Sequence, residues 1–212
     1  VTAVASGRFV VIEGIDGAGT TTQAARLVDR LQADCVDAHL TREPSTGPVG
    51  VLLREMLTGR HAPVDSTTLG LLFAADRADH LQREIEPALA RGAVVVSDRY
   101  YHSSLAYQGD DSTRDWVRVL NERARRPDLT VLLRVDPDEA ARRRAADGRA
   151  EELFDAAETQ RRIARNYERV VEELGATERV VAVDGHQSVD AVADEIADLV
   201  RNLREPTPAD HP

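Results

Sequence analysis

Five apolar, largely β-branched runs recur along the chain: Phe9–Ile12, Val36–Leu40, Val94–Val96, Leu129–Val135 and Val180–Val183. Four of them read as strands buried on both faces of a parallel sheet. The second is weaker, broken by Asp37 and His39. Between the runs, apolar positions return at helical spacing, which predicts helices over 21–33, 48–58, 66–90, 112–124, 151–174 and 188–203. Strands alternating with helices specify a doubly wound α/β fold, about five parallel strands covered by helices on both faces. With no internal repeat and no long linker, residues 1–204 read as one domain, and the proline-containing tail 205–212 as disordered.

Three loops follow predicted strand ends: Gly14–Gly19, Thr41–Gly47 and Ser97–Ser104. Ligands of open parallel sheets gather at the carboxyl ends of the strands, so these loops are expected around one cleft. A segment at about 138–150 carries Arg142, Arg143, Arg144 and Arg149, joins two helices and reads as a helical lid.

The first loop is chemically the most specific. Gly14-Ile15-Asp16-Gly17-Ala18-Gly19-Thr20-Thr21-Thr22 lies between a strand and a helix and fits the phosphate-binding pattern G-x-x-x-x-G-K-[ST] at all but one position. Its glycines let backbone N–H groups turn toward phosphate oxygens, and the helix adds its positive end. Thr21 holds the place of the magnesium-binding hydroxyl. Thr20 stands where lysine would add a mobile charge. An ordinary glycine turn is the competing reading of this segment.

The remaining motifs gain meaning from their order. Thr41-Arg42-Glu43-Pro44 alone reads as a solvated turn. Phe73 and Arg77 share one helix face, a ring to stack on a base and a guanidinium to bond its edge, or else a core ring beside a paired arginine. Asp98 ends a buried strand, where an acid can hold Mg²⁺, and Arg99 can grip a phosphate bidentately. Ser103, Ser104, Tyr107 and Gln108 add hydroxyl and amide groups suited to a nucleoside. The lid arginines can stabilise a transferring phosphoryl group, or form a solvated basic face.

Composition narrows the partners. The net charge of −10 argues against long nucleic acid, while a small phosphorylated ligand needs only a local basic pocket. No apolar run approaches the length of a membrane span and no secretion signal is visible, so a cytoplasmic location is expected. The single cysteine, Cys35, excludes an internal disulfide and reads as a buried thiol in an early strand. All 27 basic residues are arginine, so the lysine missing at position 20 is missing everywhere.

Together the motifs resemble the thymidylate kinase family of P-loop enzymes. The resemblance runs from Phe9 to about Val200 and rests on EGIDGAGTTTQ (13–23), TREP (41–44), LLFAADRADH (71–80), PALARG (87–92), DRYYHSSLAYQG (98–109) and PDLTVLLRVDP (127–137). It implies a P-loop NTPase fold that transfers the γ-phosphoryl group of ATP to dTMP with Mg²⁺, and a homodimer. It implies that Phe73 stacks on thymine, Arg77 bonds the base edge, and Arg99 grips the acceptor phosphate with Arg42 and Arg54. Ser104 and Gln108 then lie at the base, Tyr107 crowds a 2′-hydroxyl, and Asp16 lies by the sugar and the reacting phosphates. Gly17-Ala18 follows the bacterial form, whose catalytic arginine comes from the lid; Arg149 is the first match and Arg143 the second. Thr20 departs from the family pattern and leaves a catalytically impaired nucleotide-binding protein as the alternative.

Overall fold

The structure, a computed structural model, describes residues 7–110, 112–146, 148 and 153–204. Strand β1 (Arg8–Gly14) is the centre of a five-stranded parallel sheet ordered β2-β3-β1-β4-β5, with β2 Ala38–Arg42, β3 Val94–Asp98, β4 Leu129–Arg134 and β5 Val180–Asp184. All five expected strands form. The second begins two residues late because the Val36 N–H closes the preceding helix on the Leu31 carbonyl at 2.9 Å, and pairing starts only at Ala38 opposite Val94. Cys35 falls in that turn, exposed and with φ 57°, which corrects the expectation of a buried strand thiol.

Period-two alternation along β1 divides the core. Val10 and Ile12 pack with Leu27 and Val28 of α1 (Thr20–Ala33) and with Ile196 and Val200 of α9 (Val189–Arg204). Phe9 and Val11 pack with Ile85, Leu89, Tyr100, Tyr101 and Leu105 on the other face. Glu13 continues this second set, so the strand itself aims a carboxylate into the layer beside the crevice. The onward connections of the neighbours β1 and β3 run in opposite directions, to β2 and to β4, and open that crevice at their carboxyl ends.

Helix α2 spans Pro48–Leu57, and α8 (Ala157–Leu174) and α6 (Arg114–Leu120) cover shorter stretches than their periodicities predict. The expected helix over 66–90 is α3 (Ser66–His80) running through a π-turn at Leu81–Ile85 into α4 (Glu86–Ala90). Pro87 lacks the N–H that a regular helix would need, and the wider turn precedes it. The segment that reads as a helical lid begins with α7 (Pro137–Ala146), its proline in the first turn. One helix replaces an expected loop: α5 (Tyr101–Tyr107), in a segment too rich in serine and aromatics to read as helical. Among the described residues no helix is long and apolar enough to cross a membrane.

Candidate active site

The loop after β1 turns on two left-handed glycines, Gly17 (φ 89°) and Gly19 (φ 97°). Gly19 precedes α1 and, among the described residues, no side chain caps that helix, so the first-turn N–H groups can receive an anion. Thr20 is buried, and its methyl group lies 3.2 Å from the position a Gly14 Cβ would take. The Thr21 hydroxyl donates to Asp98 Oδ2 at 2.5 Å. Asp98 Oδ1 is buried with no hydrogen-bond partner among the described residues. A hydroxyl and a half-satisfied carboxylate at a phosphate loop are a donor set suited to Mg²⁺. Arg42 shares the groove of Thr21 and Asp98, so the structure places it outside the cavity that holds Arg99.

That cavity opens beside the loop. Pro44, Leu57, Phe73, Tyr107 and Phe154 supply apolar walls, and Asp16, Glu43, Arg77, Arg99, Ser103, Ser104 and Gln108 supply polar groups. The geometry thus brings together nearly all the residues that the sequence marks for the acceptor. Arg77 is buried, donating to Glu43 Oε2 at 2.6 Å, to Ser104 Oγ at 3.3 Å and to Asn121 Oδ1. Glu43 also accepts from His80, 3.3 Å from Nδ1, and His80 Nε2 meets the Thr41 hydroxyl at 2.6 Å. Arg77 Nε and Gln108 Oε1 are buried without partners among the described residues. A planar ligand carrying both a donor and an acceptor would satisfy such a pair.

Arg99 adopts φ 73°, a left-handed conformation that turns its side chain back toward the first loop. Its guanidinium donates to the Gly14 carbonyl at 2.7 Å and to Asp16 Oδ1 at 2.8 Å. Burial opposes its charge, but Tyr107, Asp16 and Tyr167 hold its pKa well above the ordinary arginine value. Burial likewise pushes the Tyr107 and Tyr167 phenols well up, so both stay un-ionised.

Several supporting groups carry no motif of their own. Glu13 accepts from the N–H groups of Tyr100 (2.8 Å) and Ser103 (3.2 Å), the Ser103 hydroxyl (2.6 Å) and the Tyr167 hydroxyl (2.8 Å). This carboxylate fixes the start of α5 and explains a helix that propensity does not predict. Gln160 donates to Asp16 Oδ2 at 2.8 Å and accepts from its N–H. Glu13 heads the quoted EGIDGAGTTTQ segment and its alternation along β1 points it inward, but the motif gives it no role; Gln160, Tyr167 and Asn121 gave no signal. Arg54 donates to the Pro44 and Ser45 carbonyls at 2.6 and 3.2 Å, bracing the 43–45 turn, whose Glu43–Pro44 peptide is cis, rather than lining the cavity.

On α7 the arginines separate. Arg143, the second candidate for the lid arginine, pairs with Glu139 at 2.9 Å and donates to the Gly185 carbonyl at 3.0 Å. Arg144 instead donates to the Asp16 carbonyl and pairs with Asp155 at 3.3 Å. Arg149 lies outside the described residues.

Comparison with known proteins agrees with this geometry. A family model described as thymidylate kinase matches residues 12–196. A probable thymidylate kinase of Pyrococcus abyssi (strain GE5 / Orsay) is 39% identical over 202 residues, spanning 92% of this chain and 97% of its own. One of Methanococcus maripaludis (strain C6) is 38% identical over 199 residues, 91% and 94% of the two chains. With the phosphate loop, the Thr21–Asp98 pair and the acceptor-like cavity on one crevice of a P-loop NTPase sheet, the chain belongs to the thymidylate kinase family.

Proposed function

We propose that this protein transfers the γ-phosphoryl group of ATP to dTMP, giving ADP and dTDP. One observation carries the reading: the cavity walled by Phe73, Arg77, Ser104, Tyr107 and Gln108 meets Arg99 and Asp16 at the phosphate loop. A base seated on Phe73 would present its edge to Arg77 and Gln108, with Ser104 beside them. The sugar would lie against Tyr107, which leaves little room for a 2′-hydroxyl. Arg99 would take the acceptor phosphate, helped by Ser103, and hold its oxygen in line with the γ-phosphorus.

That oxygen is already largely ionised near neutral pH, so the transfer needs positioning more than a strong base. The P–O bond to the leaving ADP breaks as the acceptor oxygen bonds phosphorus. The first-turn amides of α1 and residues 14–22 would cradle the donor phosphates. Thr21 and Asp98 would hold Mg²⁺, which supplies charge neutralisation at those phosphates when bound. Asp16, fixed by Arg99 and Gln160, would orient both ligands. Arg42 would act from the metal-side groove and Arg54 through the turn it braces. Arg149 is kept as the lid arginine for the transferring group. The working unit in this reading is one domain over 1–204 with a lid at about 138–150, dimeric and cytoplasmic.

Coupled detection of ADP with ATP, Mg²⁺ and a panel of nucleoside monophosphates tests this. Turnover with dTMP well above that with dUMP, dCMP or dGMP is expected. Measurable dTMP binding without turnover would overturn the reading.

A further inference from the structure

The phosphate loop of this chain lacks a lysine, and no lysine exists elsewhere to stand in for it. Its first-turn amides carry only partial charge, and the buried Thr20 contributes none. Any full positive charge at the donor phosphates must come from arginine, the metal or a partner.

Most arginines near the loop are already directed elsewhere. Arg26 and Arg30 point along α1 to Asp190 and Asp194 of α9. Arg143 is turned to Glu139 and Gly185. Arg99 reaches the loop from the acceptor side and is tied to the Asp16 carboxylate and the Gly14 carbonyl.

Arg144 reaches the same loop from α7. It donates to the main-chain carbonyl of Asp16, and its Cγ lies 2.9 Å from where a Gly17 Cβ would be. The α7 backbone sits closer still: the Ala140 carbonyl oxygen is 2.4 Å from that same point, so only glycine admits the helix. Asp155 steers the guanidinium through Nε at 3.3 Å, and only 11% of the Arg144 side chain is exposed. A guanidinium has five N–H donors, and these two contacts leave others for an anion. Asp155 meets the guanidinium at its Nε edge and the loop carbonyl takes one Nη1 hydrogen, so a phosphate could bond the N–H groups that remain.

From this geometry we infer that Arg144 supplies the donor-phosphate cation that Thr20 cannot, so that α7 completes the phosphate loop. The inference rests on the kinase reading for its catalytic consequence, though not for its binding consequence. During transfer the bond between phosphorus and the β,γ-bridging oxygen breaks and ADP takes the electron pair. Arg144 would stabilise that developing charge, so its removal should lower both donor affinity and kcat.

The test is a two-position cycle read by two methods: affinity for a non-hydrolysable ATP analogue with Mg²⁺, and kcat with dTMP. Arg144→Ala should weaken analogue binding at least about tenfold and lower kcat on the order of 10²-fold, with dTMP affinity unchanged. Thr20→Lys in that background should restore most of both losses, yet gain little in the wild-type background, because one charge is then already present. Arg144→Lys, which keeps charge and stem, should retain most of the affinity and covers the case in which the alanine variant melts early. Arg42→Ala, in the metal-side groove, tests the rival cation. Unchanged analogue binding in Arg144→Ala overturns the inference. So does a loss that Thr20→Lys cannot restore, or a larger loss in Arg42→Ala. If the wild type binds the analogue but does not phosphorylate dTMP, the kinase reading fails while the binding arms still decide the role of Arg144.

Discussion

The two sides of the crevice hold their charges differently. On the acceptor side, Arg77, Glu43 and His80 are all buried and bonded to one another, and Ser104 and Asn121 close the network. On the donor side, a helix start without a described side-chain cap and a pair of left-handed glycines meet α7, whose arginines bond main-chain carbonyls and nearby acids. Recognition of a specific base needs preset geometry, because an unmatched buried polar group penalises the wrong ligand. A polyphosphate carries its own charge and metal, and can be clasped by groups that gather around it. The difference teaches where this chain tolerates change. The lysine is missing on the side that a neighbouring element can reach, whereas Arg77, Arg99, Ser103 and Ser104 of the acceptor cavity are each bonded to other protein groups.

The comparison can be broken most severely at Arg77. Arg77→Ala leaves Glu43 buried beside His80 without its main counter-charge, and losing one member of a buried pair costs about 3–5 kcal/mol. Urea unfolding monitored through Trp116 should show that loss, and dTMP affinity should fall with it. A loss below about 1 kcal/mol would mean that the acceptor wall is not preset.

Arg99→Ala comes next. Removing one preorganised charge donor lowers kcat roughly 10²–10³-fold. The loss should appear in kcat/KM for dTMP, while affinity for a Mg²⁺–ATP analogue stays within about threefold, since Arg99 faces the acceptor cavity. An equal loss on both ligands would erase the division between the two sides.

Much of the acceptor side was legible in the sequence because its residues sit in motifs at strand ends. Phe73, Arg77, Arg99, Ser103, Ser104, Tyr107 and Gln108 do converge on one cavity. Less legible was what holds them. Glu13, Gln160 and Asn121 act across separations of 87, 144 and 44 residues, and no local periodicity records such contacts. The same blindness hid α5, whose start depends on the distant Glu13 rather than on its own propensity. On the donor side, adjacency misled: Arg143 and Arg144 are neighbours in sequence, yet a 100° helical step sends one to Gly185 and the other to Asp16.

The donor side can be disturbed alone at Gly17. An alanine there would hold φ 89° against side-chain preference and place its Cβ 2.4 Å from the Ala140 carbonyl oxygen. Such backbone strain costs about 1–3 kcal/mol. Displacement of α7 relieves it, so Gly17→Ala should raise KM for ATP roughly tenfold, the equivalent of ~1.4 kcal/mol. KM for dTMP should not move. If both KM values rise together, α7 is coupled to the acceptor wall and the two sides are one rigid unit.

The smallest effect concerns pH and sharpens the claim that the acceptor wall is held by charge. Burial raises the Glu84 pKa, but hydrogen bonds from Thr41 and His39 and the charges of His80 and His39 outweigh it, leaving the carboxyl below its ordinary value. A carboxylate depressed in the folded state adds stability above its unfolded pKa of about 4.3, and that stability is lost as pH falls through the lower folded value. Unfolding free energy should therefore decline as pH drops below about 4.3, and Glu84→Gln should flatten part of that decline. Because Glu84 is partly exposed, the difference between the two curves at neutral pH should stay below about 1 kcal/mol. Chemical denaturation at several pH values between 3 and 7 reads it directly. Parallel curves for the two proteins would show that the ionised Glu84 does not steady the His80–Glu43–Arg77 wall, and that this wall relies on its buried pair alone.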